Sequence, residues 1–143
     1  MAELNQSLTF VRGDTAFSPL WYFTNEQVPP GTTMEEFLEG LRNGTYTLVD
    51  LSQFTIRGHV RRQHNSSIVI DLTSYFATTD NILRFVIPPN ITSVLANERH
   101  SMGYDIEFTR TETSNVKTMI AGGFTITTDY THNDPNPVQV GQL

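Results

Sequence analysis

Cysteine is absent from the 143 residues. Disulfides, thiolate nucleophiles and cysteine-ligated metals are therefore excluded. Positive charge is scarce: nine Lys and Arg stand against fifteen Asp and Glu, the net charge is −6, and Lys117 is the only lysine. Nonspecific nucleic-acid binding needs a basic footprint that this balance does not supply. Long apolar runs are missing too; none approaches the roughly 20 residues of a membrane-spanning helix. The opening M-A-E-L-N-Q-S has neither the basic nor the apolar region of a secretory leader. Neither a leader nor a membrane partner is expected, and the sequons at Asn5, Asn43, Asn65 and Asn90 read as chance matches in an Asn/Thr-rich chain. Reaction signatures are equally sparse. His59, His64, His100 and His132 show neither H-x-H nor H-x-x-x-H spacing, no G-x-S-x-G elbow occurs, and Gly122-Gly123 is a bend rather than a phosphate loop. No catalytic residue, metal ligand or cofactor is assigned.

What the chain has instead is threonine, asparagine and alternation. From Phe54 onward, Phe54, Ile56, Gly58 and Val60 fall on one face, and Thr55, Arg57, His59 and Arg61 on the other. A two-residue period marks a strand with one dry and one wet side. Further strands are expected over Ser7–Val11, Ala16–Phe23, Ile68–Leu72, Ile82–Ile87, Ser101–Thr109, Val116–Ile120 and Phe124–Tyr130, the last two joined through Gly122-Gly123, where Gly122 signals a bulge or a close backbone approach. Pro19 inside the second predicts an edge or a bulge, because proline cannot donate to the ladder. Thr73 to Asn81 reads as an irregular polar stretch. Thr32 or Thr33, with Glu35 or Glu36 three residues on, signals a capped helix whose apolar face is Met34, Phe37, Leu38 and Leu41 and which ends at Asn43-Gly44. Short strands with regular turns predict an all-β fold, an antiparallel β-sandwich, over residues 1–130. It carries a short helical insertion near residues 32–42 and one helical turn near residues 90–95.

Each chemically suggestive group has a structural reading beside it. Arg12-Gly13-Asp14 spells an adhesion tripeptide, but Gly13 and Asp14 are suited to a structural turn. Asp105 and Glu107 share a strand face about 7 Å apart, close to the spacing of glycosidase carboxylates. The plainer expectation is ion pairing across strands with Arg57 and Arg61. Trp21 and Tyr22 lie in the densest aromatic spot, Leu20 to Phe23, and alternation turns at least one of them away from the core. They are expected to anchor a protein contact, with a sugar-stacking platform as the rival. Thr131 to Leu143 has too few apolar groups to build its own core. It is expected to form an extended tail lying along a neighbouring subunit through Pro135, Val138, Val140 and Leu143.

The order of features resembles a known family. Phe10-Val11-Arg12-Gly13-Asp14-Thr15, then Val49-Asp50-Leu51-Ser52-Gln53-Phe54 leading to Val60-Arg61, then Ile87-Pro88, Tyr104-Asp105-Ile106 and Gly123-Phe124-Thr125-Ile126 come in sequence. The series is similar to small β-sandwich domains of tailed-phage virions, notably the N-terminal domain of baseplate upper proteins and related tail or fibre-anchoring proteins. It departs from them by the insertion at Thr24 to Gly44 and by ending at residue 143. The resemblance implies a non-enzymatic virion component in a tail, baseplate or fibre-attachment region. Its partners would be other virion proteins and copies of itself, with no nucleic acid or membrane. Capsid decoration or a neck connector is the alternative within that class, and a carbohydrate-binding module the alternative outside it.

Overall fold

Phe54 to Arg61 forms one eight-residue strand, and its neighbours build a two-layer sandwich around it. The computed structural model describes residues 4–62, 67–94, 102–127 and 140–141. The strands are β1 (Leu4–Asn5), β2 (Leu8–Val11), β3 (Ala16–Phe17), β4 (Leu20–Tyr22), β5 (Phe54–Arg61), β6 (Ile68–Asp71), β7 (Phe76–Thr79), β8 (Ile82–Ile87), β9 (Met102–Arg110), β10 (Val116–Thr127) and β11 (Val140–Gly141). The helices are α1 (Met34–Asn43) and α2 (Pro89–Val94), with 3-10 turns at Leu51–Gln53 and Leu72–Tyr75.

In the first sheet β10, β9, β5 and β6 lie side by side, and β1 and β2 follow one another along the free side of β10. In the second, β3 and β4 pair one side of β8, β7 pairs the other, and β11 lies beside β4. The long pairings are antiparallel, as the patterning predicts; β1, β2 and β11 are parallel additions. Parallel neighbours cannot be joined by a tight hairpin, so the patterning that marks β2 as a strand over Ser7–Val11 gave no sign of these parallel pairings.

The alternation of β5 holds. Gly58 and Val60 are buried, whereas Thr55 and Arg57 are exposed. Gly58 is needed on the dry face because a Cβ there would come within 2.7 Å of Phe76 and 3.1 Å of Leu72. Met102, Tyr104, Ile106 and Phe108 of β9 face the same interior, filled from the other sheet by Trp21, Phe23, Leu83, Phe85 and Ile87. Ring contacts knit the layers: Phe10 to Phe85 at 5.9 Å, and Phe23 to Phe108 at 4.9 Å. Each such fully buried ring contributes about 2 kcal/mol or more from area removed from water.

Three boundaries differ from expectation. Val116 to Thr127 is one continuous strand rather than two, because Gly122-Gly123 stays in register with β9. Phe76 to Thr79 is a paired strand within the stretch read as irregular; only Phe76 in it is apolar and bulky, too little to show a period. Pro19 does mark a break, and Ser18 repairs it. The Ser18 N–H donates to the Phe85 carbonyl (3.0 Å), and the Phe85 N–H donates to the Ser18 hydroxyl oxygen (2.8 Å). The ladder thus closes past the proline.

Helix α1 is capped as the sequence predicts. Thr33 and Glu36 form the reciprocal box, and Gly44 takes φ +85° at the other end. Its apolar face is narrower than expected, since Leu38 is 37% exposed and Phe37 alone of the four is buried.

Candidate functional site

Gln6 lies between β1 and β2, opposite Gly122 in β10. Adding a Cβ to Gly122 would drive it into the Gln6 carbonyl, so the glycine is what lets the first segment approach. There Gln6 uses three groups. Its N–H donates to the Ala121 carbonyl (2.9 Å). Its carbonyl accepts from the Tyr104 hydroxyl (2.7 Å), and its side-chain Oε1 accepts from Trp21 Nε1 (2.8 Å). Tyr104 belongs to β9 and Trp21 to β4, so one glutamine joins both sheets. Burial raises the Tyr104 hydroxyl well above the usual tyrosine range; it stays a neutral donor. Among the described residues, no buried side-chain nitrogen or oxygen lacks a partner.

The last strand comes to the same place. In β11, Val140 pairs with Leu20 and Gly141 with Trp21. Trp21 therefore meets the first segment through its indole and the last strand through its backbone. One side of the sandwich is edged by β1 and β2 on the first sheet and by β11 on the second. Strands added along sheet edges are a general mode of recognition: main-chain hydrogen bonds supply affinity, and side chains supply register. This edge pair around Trp21 is the candidate functional site.

The residues singled out from sequence fall into four groups. Trp21 and Tyr22 are not surface anchors. Trp21 is fully buried against Phe85 (5.8 Å), and Tyr22 is 7% exposed. Alternation does turn Tyr22 to the opposite face from Trp21, but Phe37 of α1 covers it (5.4 Å), with Tyr46 stacked on Phe37 (5.6 Å). A helix brought in from an insertion hid what the strand period exposes.

Gly13 and Asp14 form a structural turn. Gly13 has φ +85°, and the Asp14 N–H donates to the Val11 carbonyl (3.2 Å). A buried threonine of α2 clamps it: the Gly13 N–H donates to Thr92 Oγ1 (3.1 Å), and that hydroxyl donates to the Asp14 carbonyl (2.8 Å). Patterning gave Thr92 no role beyond the start of a helical turn.

Arg57, Arg61, Asp105 and Glu107 do share the wet face. Register places Arg57 opposite Glu107, and His59 rather than an arginine opposite Asp105. No salt bridge joins these four among the described residues. Among the described residues this face holds a contact of His59 Nε2 with Asp71 Oδ1 at 3.8 Å. Hydrogen bonds from Thr73 chiefly hold the Asp71 carboxyl below the usual range, with smaller help from His59 and Arg57. Sequence reasoning missed Asp71 because it lies on β6, twelve positions beyond His59 in sequence.

The tail residues Pro135, Val138 and Leu143 lie outside the described residues, and Val140 is placed through its backbone in β11. Among the described residues, no group of three or more His, Asp or Glu is placed to hold a metal, and no helix is long and apolar enough to cross a membrane. A shallow cleft of about 720 Å³ runs beneath α1 between Pro29–Thr32 and Thr45–Tyr46. Its charged lining is Glu35, Glu36, Glu39 and Arg42. Glu36 is engaged by the helix cap, and Glu39 pairs with Arg42 at 3.1 Å.

No protein-family model matches the chain, and no curated protein matches it. Among solved structures it is similar to Sidekick-1 immunoglobulin domains 1–4, with a TM-score of 0.42 and 14% identity, over 92% of this chain and 25% of that one. The chain thus spans about a quarter of that structure's length. The two-sheet assignment rests on the strand pairing above, not on this likeness.

Proposed function

We propose that the protein is a non-enzymatic structural component of a tailed-phage virion, in the tail, baseplate or fibre-attachment region, and that it acts through protein–protein contacts. The observation that carries the reading is the edge pair around Trp21, where short parallel strands from both extremities of the chain are laid along the two sheets. A stiff sandwich edged in this way suits repeated contacts in a symmetric assembly, where each contact can be weak because there are many. The ordered motif series from Phe10 to Ile126 supports the phage assignment by resemblance. Capsid decoration and a neck position belong to the same reading. A carbohydrate-binding role loses its support, because Trp21 and Tyr22 offer no exposed stacking platform.

Labelling purified particles with an antibody to this chain, viewed by negative-stain microscopy, tests the reading. Label at a fixed, symmetric position on the tail supports it. Particles that carry no copies, by label and by mass spectrometry, contradict it.

A further inference from the structure

The two added edges differ in how they are held, and the difference points to strand exchange. We propose that the free side of β4 is a strand-acceptor site and that β11 of a second copy of this chain can occupy it. This deepens the assembly reading above, but particle membership and exchange stand or fall separately. A chain absent from particles could still exchange, and a virion protein could still keep its strand to itself.

Three observations carry the inference. First, among the described residues β11 meets its partner through Val140 with Leu20 and Gly141 with Trp21. Pro19, just before this window, has no N–H to offer an incoming strand. Second, the described part of β10 ends at Thr127, paired with Val11 in the first sheet, whereas β11 pairs in the second sheet. Twelve residues, 128–139, separate them in sequence, with prolines at 135 and 137. Third, the pairing is parallel, so no tight turn ties β11 to β4.

An exchanged strand makes the same contacts as a retained one. The balance is then set by the effective concentration of the tethered strand, on the order of millimolar for a short flexible link, against the local concentration of other copies. An assembly that holds copies side by side reaches that range, so β11 can join neighbours there without any new surface. β1 and β2 are not donors, since Gln6 fixes that segment to both sheets.

The absence of cysteine allows a clean test in the full-length chain. One copy carries Leu20→Cys; a second, with an added tag that changes its mass, carries Val140→Cys. Neighbouring strands lie about 4.8 Å apart, within reach of disulfide geometry. The two are mixed at millimolar concentration under mild oxidation and run without reductant, with fluorescence of the sole tryptophan, Trp21, confirming the fold. The expected result is a mixed-mass disulfide dimer as the dominant crosslink, and its absence when the mixing and oxidation are done at micromolar concentration. A Leu20→Cys/Val140→Cys double variant that closes an intrachain disulfide while the mixture gives no mixed dimer would show a strand kept in its own chain, and would overturn the proposal. Failure of both to crosslink would overturn it as well, because the edge pairing itself would then be absent.

Discussion

The first and last strands of this chain do the same geometric job in different ways. Both lie parallel along a sheet edge, and both reach Trp21. The first segment is locked. β2 alone pairs four residues with β10, and Gln6 binds Ala121, Tyr104 and Trp21 at the step before it. The described residues of the last strand, Val140 and Gly141, are placed by their pairing with Leu20 and Trp21. Similar placement therefore does not mean similar stability. What separates the edges is a half-buried polar residue seated against a glycine, and it makes the first edge part of the fold.

The comparison can be broken from its strong side first. Gly122→Val should cost the most, about 3 kcal/mol, because the new side chain meets backbone rather than a side chain that could move. Chemical denaturation would read the loss, and a cost under about 1 kcal/mol would mean that the first segment can lift away cheaply. Gln6→Leu should follow at about 2 kcal/mol, since it leaves the Trp21 indole N–H buried without an acceptor. Its tryptophan emission should shift with the change in environment.

Alkali probes the same node. The Tyr104 pKa is raised in the fold, so its neutral form stabilises the protein fully below the unfolded tyrosine value of about 10 and progressively less as pH rises above it. Wild type should lose stability above about pH 10, and Tyr104→Phe should flatten that loss while lowering stability at neutral pH. Equal alkaline slopes in the two proteins would contradict the buried-donor role. From the weak side, Val140→Pro removes one ladder donor and should cost less than about 1 kcal/mol in thermal unfolding. The smallest effect lies away from both edges. Asp71 and Glu26 have lowered pKa values, held down chiefly by Thr73 and Thr47 respectively. Their contribution is present above the ordinary carboxylate range and fades as pH falls through the folded values. Asp71→Asn should slightly reduce acid sensitivity, as read by stability across pH 2 to 6.

Local patterning made the scaffold legible. Alternation located β5, β8 and β9, and the capping box with Gly44 located α1, because these signals lie within a few residues of one another. The phage resemblance added a functional expectation that no strand period could supply. What patterning could not show was non-local. Nothing around Gln6 says that it will meet Tyr104 and Trp21, residues 98 and 15 positions away. Gly122 in a strand signals a bulge or a close backbone approach, and the approach is there, but nothing near it says that Gln6 is the segment that comes close. Alternation sets Trp21 and Tyr22 on opposite faces, but their burial depends on a helix packing over Tyr22 and on Trp21 lying in the core against Phe85. Register sets Arg57 opposite Glu107, as cross-strand pairing requires, but puts a histidine opposite Asp105, and no salt bridge joins the four among the described residues.

The most direct test of the unequal edges is native-state hydrogen exchange at single amides. The account predicts that the Gln6 amide, bonded to Ala121, exchanges only through global unfolding, like the amides of β9. The Val140 and Gly141 amides should exchange through local opening, with protection lower by about two orders of magnitude or more. Equal, globally limited protection at both edges would contradict it.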